Sequence, residues 1–405
     1  MLEKPKVSIL IPSYNHARFL PAAIESVLGQ TYPNIELVIV DDGSTDDSLN
    51  IAESYAAKYP SIVRVFAHPN NANRGISATV NEGFKLSTGD FFSGLPSDDM
   101  LMPDKVEQQL TFLQRHPEIG WVYAGGQCVD EDGNPLGNLF GHDISQHPRP
   151  IEKLIIVNSV PGMTVLARRE CFEQVGLHTE NLLYSDWEFW VRMASHFKVG
   201  YIDRKVVKFR VHDYNTSVGI THDEELKRGL EVMTSLRRNE HLFGGELATT
   251  RVQALIESQR YRYLFCLGRL EESSRSLRSV FEIHPAIQDE PELFEDWLRA
   301  ASRAASMPEY YQWTLKQLPV DLKQAFRRKI SRRLKALTLA AEAQKCHKAG
   351  DFQKTRRLAI QSILDDPARL TDRPLMSALI ETLVGSPLMA MARNLKRQIA
   401  GKLNI

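Results

Sequence analysis

Two acidic pairs stand out for the chemistry they could support. Asp41-Asp42 opens the run Asp-Asp-Gly-Ser, and Asp98-Asp99 follows Ser97. Each pair lies just beyond an apolar, strand-like run, residues 35–40 for the first and the run beginning at 90–92 for the second. Four carboxyl groups gathered at one sheet edge raise one another's pKa values and cost stability unless a counter-ion sits among them. Oxygen ligands of this kind suit magnesium or manganese. An Asp pair is an incomplete cage, so the cation would borrow ligands from water and phosphates, which points to a diphosphate substrate. Either pair alone also has a plain reading, because Asp-Asp-Gly-Ser makes a serviceable turn and helix cap.

The elements that would position these acids alternate. Residues 7–11 are apolar and β-branched and stop at Pro12, as a buried strand does. Apolar residues recur at helical spacing over 19–28. A strand at 35–40 leads into a helix capped by Ser44 or Thr45 and running to 55, with Asp46 and Asp47 in its first turn. A strand at 62–66, a helix at 75–86 and a strand beginning at 90 follow. Strand and helix in alternation imply right-handed crossovers and a mainly parallel, Rossmann-like sheet, whose ligands lie beyond the carboxyl ends of its strands. Tyr14-Asn15, Asp41-Asp42 and Ser97-Asp98-Asp99 all fall at such ends. Beyond about residue 225 the strand signals stop and polar helices take over, so the expected division is an α/β domain over 1–225 and an all-α domain over 226–405.

Composition agrees with a multidomain protein. The chain has 405 residues, 43% hydrophobic and 25% charged, too many for one core. Lys+Arg 50 against Asp+Glu 50 gives no global reason to expect a nucleic-acid partner. The balance hides an asymmetry, because residues 1–220 hold 19 basic and 27 acidic side chains. Cys128, Cys171, Cys266 and Cys346 form no closely spaced pair, which argues against a disulfide framework or a cysteine zinc site and for a reducing compartment. The opening residues do not read as a cleavable leader, and no apolar run reaches the roughly 18 residues of a membrane span. The expected setting is cytoplasmic.

In the second half, Gly268 and Gly350 each end one helical stretch and are each followed 17 residues later by a proline, Pro285 and Pro367. Helix, glycine turn, helix and proline is the unit of a tetratricopeptide-like hairpin, and an irregular bundle is the competing expectation. The stretch 323–335 is basic, with Phe326, Ile330, Leu334 and Leu337 on one helical face. Such a face can lie on an anionic membrane, at the inner leaflet, or contact a protein; packing inside the helical domain is the favoured reading.

Several segments together resemble the inverting family 2 glycosyltransferases of GT-A fold. They are Val7-Ser8-Ile9-Leu10-Ile11-Pro12-Ser13-Tyr14-Asn15, the run from Gln30 through Asp41-Asp42-Gly43-Ser44-Thr45-Asp46, Asn73-Arg74-Gly75, Ser97-Asp98-Asp99 with Met102-Pro103-Asp104, and Asp186-Trp187-Glu188-Phe189-Trp190-Val191-Arg192. They occur in order over roughly residues 5–220. The resemblance implies transfer of a sugar from a nucleotide-sugar, most simply a UDP-sugar, to a saccharide or lipid-linked hydroxyl, in polysaccharide or glycoconjugate assembly. It implies a nucleotide pocket built from Pro12, Tyr14, Asp42, Arg74 and Asp98, and a Mn2+ or Mg2+ ion held by Asp98 and Asp99, with His212 of the late segment that closes over the diphosphate, Phe209 to Ser217. It makes Asp186 the general base that takes the acceptor's proton. Gly162 and Met163, in Val160-Pro161-Gly162-Met163-Thr164, and Trp187 and Arg192 then face the donor and acceptor sugars. Two positions depart from the family pattern: Pro96 stands where many members have Asp, and Ser185 stands where an acid usually precedes Asp186. A nucleotidyltransferase would also use paired carboxylates on an α/β sheet, but residues 11–14 are not its glycine-rich phosphate loop. A non-catalytic scaffold with a decayed site is the remaining alternative.

Overall fold

A computed structural model of the chain describes residues 4–213, 215, 220–239, 249–299 and 308–384. It forms two compact units, Met1–Val252 and Gln253–Ile405. The first unit is built on a nine-stranded sheet. Strand β1 (Val7–Ser13) lies between β2 (Ile35–Asp41) and β4 (Phe91–Gly94), parallel to both, and β3 (Val63–Ala67) extends the parallel part beyond β2. Val7, Ile9, Leu10 and Ile11 are fully buried, as expected of a strand covered on both faces. The connecting helices are α1 (Leu20–Leu28), α2 (Ser48–Lys58) and α3 (Ile76–Leu86).

Past β4 the sheet is mixed, which qualifies the expected mainly parallel arrangement. The two-residue strand β5 (Met100–Leu101) and helix α4 (Lys105–Arg115) precede β6 (Ile119–Val129), which carries β7 (Pro135–Phe140) antiparallel on it. Helix α5 (Pro150–Ile156) leads to β8 (Leu166–Arg168), antiparallel to both β4 and β6. After α6 (Arg169–Val175) and α7 (Ser185–His196), β9 (Lys198–Arg210) runs parallel to β6 and antiparallel to β5. The resulting order is β3-β2-β1-β4-β8-β6-β9-β5. Helices α1 and α4 supply Leu20, Ala23, Ile24, Val27, Val106, Leu110 and Leu113 to one core with Val7, Ile9, Ile11, Leu37 and Ile39. Helix α3 meets Leu10 instead, so closely that a Cβ at Gly83 would stand 2.2 Å from the Leu10 side chain.

Register sets the site. Ser13 pairs with Asp41, so β1 and β2 end level, and Tyr14 and Asp42 leave the sheet side by side. Helix α8 (His222–Arg238), closed at its start by a Thr221–Glu224 capping box, belongs to this unit and contains the expected boundary at 225.

Helix α9 (Thr250–Cys266) leads into the second unit, whose further helices are α10 (Leu270–Ile283), α11 (Pro291–Arg299), α12 (Pro308–Gln317), α13 (Gln324–Lys348), α14 (Phe352–Asp365) and α15 (Arg373–Val384). The two look-alike segments turn the same way. Gly268 and Gly350 both have positive φ; Arg269 N–H donates to the Leu264 carbonyl as Asp351 N–H donates to Cys346. On α13 the apolar stripe of Phe326, Ile330, Leu334 and Leu337 is buried, and two of its cations pair inside the unit, Lys329 with Glu292 and Arg333 with Glu292 and Glu295. The apolar stripe is therefore used in packing, as the favoured reading of this stretch expects, while Arg328, Arg332 and Lys335 are exposed. Among the described residues, no helix is long and apolar enough to cross a membrane.

Candidate active site

The loops leaving the carboxyl ends of β1, β2, β4 and β9 are tied to one another by polar contacts. Asp41, fully buried, accepts hydrogen bonds from the Ser44 N–H at 2.8 Å and the Ser44 hydroxyl at 2.6 Å, so it shapes the turn after β2 rather than facing a ligand. Asn15, in the left-handed region at φ 51°, accepts from the Thr45 N–H and joins the β1 and β2 loops. Asp42 faces the other way. Its two oxygens accept the backbone N–H groups of Arg74 (2.6 Å) and Gly75 (3.0 Å), the entry to α3, and His68 stands 3.6 Å away. The Arg74 side chain itself is exposed; Tyr14 is 45% exposed and Pro12 half-buried, so a flat ring has room to meet them.

Pro96 opens a tight turn closed by the Asp99 N–H on its carbonyl, and the two acids within the turn diverge. Asp98 Oδ2 lies 3.0 Å from His212 Nε2 and accepts from Asn215 Nδ2 at 3.2 Å. The Arg210 guanidinium holds the Asp98 carbonyl at 2.9 Å. Asp99 is fully buried, accepts the Arg210 N–H through Oδ1 at 2.8 Å and leaves Oδ2 without a partner. Burial, with Asp98 beside it, holds its carboxyl well above the ordinary range. Among the described residues one cluster has metal-ligand geometry: His16, Asp98 and His212, with donor atoms within 4.8 Å of one another. Metal–donor bonds of about 2.0–2.2 Å would need only a small closure of that triangle. Asp98 and His212 are thus brought together as expected ligands, whereas Asp99 does not join them and His16 does. Ser217 lies outside the described residues.

Asp186 sits in the first turn of α7, half-buried, where its Oδ2 accepts from Asn158 Nδ2 at 3.2 Å and its Oδ1 from the Trp187 N–H at 2.7 Å. Burial pushes its pKa up, partly offset by these bonds. The neighbouring Ser185 hydroxyl pairs with Ser77 of α3 at 2.7 Å, two residues beyond the Gly75 that Asp42 holds. A short chain of contacts therefore fixes the α7 end that carries Asp186 to the α3 end that Asp42 anchors. Gly162 opens a short 3-10 turn (Gly162–Thr164), and Met163 packs half-buried against the sheet core.

Two expected sugar contacts are instead packing residues. Trp187 is buried and its indole N–H is spent on the Leu154 carbonyl of α5. Arg192 is buried with Glu188 one turn back (3.0 Å), and its other nitrogens donate to the Val175 and Leu177 carbonyls. Each nitrogen of this guanidinium is thus engaged within the fold, and the side chain is only 2% exposed, so it does not face a substrate.

Residues 8–176 match the family described as Glycosyl transferase family 2. The amino-terminal unit belongs to that family. An uncharacterised glycosyltransferase of Rickettsia typhi is 33% identical over 217 residues, 53% of this chain and 66% of that one. Chondroitin synthase of Escherichia coli is 28% identical over 214 residues, 53% of this chain and 30% of that one. The chain spans between about a third and two thirds of the length of these relatives. The crystal structure of S. aureus TarS 1-349 in complex with UDP-GlcNAc superposes with a TM-score of 0.51 at 17% identity, over 87% of this chain and 90% of that one. That likeness establishes the GT-A fold of the family 2 domain.

Proposed function

We propose that this family 2 domain transfers a sugar, with inversion and with a divalent cation, from a UDP-sugar to a hydroxyl of a saccharide or lipid-linked acceptor. The observation that carries this is the meeting of Asp98 and His212 at the edge where β1 and β2 deliver Tyr14 and Asp42. Asp42 keeps lone pairs available beside its two backbone donors, and a carboxylate there suits the N3–H of uracil. The fold relative described above was crystallised with UDP-GlcNAc, which favours a uridine donor.

Asp98 and His212, with His16 beside them, offer the donor set for manganese or magnesium. These residues would hold the cation, which would supply charge neutralisation for the leaving diphosphate. We take Asp98 rather than Asp99 as the ligand, because Asp98 shares the cluster of donor atoms with His16 and His212 and Asp99 does not. Asp186 serves as general base. Its burial moves its pKa toward working pH, where a carboxylate takes a proton more readily. Asn158 and the Trp187 N–H hold the carboxylate in one orientation, and the Ser77–Ser185 pair fixes the helix end beneath it. Ser185 thus has a packing role in place of the missing acid, which argues against a decayed site. The family match and the lack of a glycine-rich phosphate loop disfavour a nucleotidyltransferase.

The test is release of UDP from a panel of UDP-sugars with manganese. Turnover of one of them is expected, and a chain that leaves all of them intact while folded would overturn the proposal.

A further inference from the structure

Pro96 removes the carboxylate that many members of the family carry two positions before Asp98, yet a third donor still reaches the cluster from elsewhere in the chain. His16 comes from the loop after β1. Its Nδ1 hydrogen-bonds the Ser97 hydroxyl at 2.8 Å, which fixes the ring. The ring stands edge-to-face against His212, centroids 5.7 Å apart at 90°. Phe19 packs on the other ring, 4.8 Å from His212. Asn215 supports Asp98 at 3.2 Å, and the backbone N–H of His212 donates to the Asn215 side-chain oxygen at 2.7 Å. Ser97 thus holds the His16 ring, Asn215 holds Asp98, and Phe19 packs on the His212 ring, contacts of the kind that orient metal ligands.

We propose that His16 replaces the lost carboxylate, giving a two-histidine, one-carboxylate cation site that binds manganese-type ions before any nucleotide arrives and discriminates against magnesium. Two imidazoles and one carboxylate favour first-row transition ions, while magnesium prefers oxygen and water. Three protein donors also remove the need for phosphate oxygens to complete the first grip. The inference deepens the reading of this cleft as a sugar-nucleotide site, but its test uses no nucleotide, so failure of either leaves the other to be judged separately.

The experiment is calorimetric titration of the full chain with MnCl2, CoCl2 and MgCl2 in the absence of nucleotide, for wild type, His16→Ala and His16→Asp. Manganese and cobalt are expected to bind at least about tenfold more tightly than magnesium, and His16→Ala to lose about tenfold or more of that affinity. His16→Asp should regain binding with its preference moved toward magnesium. Melting temperatures in EDTA show whether each variant is folded. Proton NMR of the cobalt-loaded wild type provides a check that needs no variant, because two histidine ligands give two hyperfine-shifted imidazole N–H signals. No manganese binding without nucleotide, equal affinity for manganese and magnesium, an unaffected His16→Ala, or a single imidazole signal would each overturn the proposal.

Discussion

Replacing Lys105 with methionine should stabilise the protein, and the size of the gain follows from where the ammonium sits. Lys105 is the first residue of α4, fully buried, and among the described residues its Nζ has only the Ser93 hydroxyl at 2.8 Å and the Val165 carbonyl at 3.3 Å as hydrogen-bond acceptors. Burial pushes its pKa down from 10.5 to about 7. A cation at a helix amino terminus is also disfavoured. At about 1.4 kcal/mol for each pKa unit, holding this lysine in the fold costs about 4 kcal/mol at pH 7. Methionine forfeits two hydrogen bonds worth about 1 kcal/mol each, leaving a net gain of about 2 kcal/mol. No group is orphaned, because the Ser93 hydroxyl still donates to the Val165 carbonyl at 2.6 Å. The pH dependence has a definite sign. Between pH 7 and 10.5 the unfolded chain holds the proton and the folded chain does not, so wild-type stability rises with pH. From pH 7 to 9 the rise due to this lysine is about 2 kcal/mol, and it should vanish in Lys105→Met. Urea denaturation of both proteins at pH 7 and 9, followed by tryptophan fluorescence, measures it. A less stable variant, or the same pH slope in both, would refute the account of a desolvated lysine. The result bears on the site because Lys105 and Gln109, one turn apart on α4, hold the Val165 and Thr164 carbonyls beneath the Gly162–Thr164 turn.

At the opposite edge of the sheet, Glu36 should govern acid stability. Burial alone would raise its pKa, but the Ser8 hydroxyl, the Thr88 N–H and Lys6 outweigh this and bring it down from 4.5 to about 2. Its contribution is therefore present above pH 4.5 and lost as pH falls toward 2, so Glu36→Gln should cost about 1.5–3 kcal/mol at pH 7 and little at pH 2, read from denaturation curves at both. Gly43 has φ +77°, and a Cβ there would stand 2.6 Å from the Asn71 carbonyl oxygen. Gly43→Ala should cost at least about 1–2 kcal/mol and weaken UDP binding measured by calorimetry, because the loop it displaces leads to the Arg74 and Gly75 N–H groups on Asp42.

Much of the parallel half-sheet was legible in the sequence. The runs at 7–11 and 35–40 are strands, buried throughout but for the half-buried Ile35, whose composition says so, and the acids at their ends follow from that. What escaped was set by packing between distant segments. His16 is 82 positions from Asp98 and 196 from His212, and nothing in its own neighbourhood distinguishes it from an ordinary loop histidine. Asp98 and Asp99 are adjacent and chemically identical, yet one turn sends them to opposite environments. Glu188 and Arg192, spaced by four on α7, form a buried pair whose sequence pattern looks the same as a substrate-facing arginine would. The parallel β6–β9 pair joins residues some eighty apart and left no local signal.

The most direct measurement of the central claim is UDP release from a turned-over UDP-sugar by wild type and by Asp186→Asn, paired with UDP binding to each. Binding should be retained in both, with a stabilisation of about 2.7 kcal/mol when UDP is present at 100 times its Kd. Release should fall about 10²–10⁴-fold in Asp186→Asn, the usual contribution of a general base. Undiminished release by that variant, or a folded wild type that fails to bind UDP with manganese present, would contradict the account.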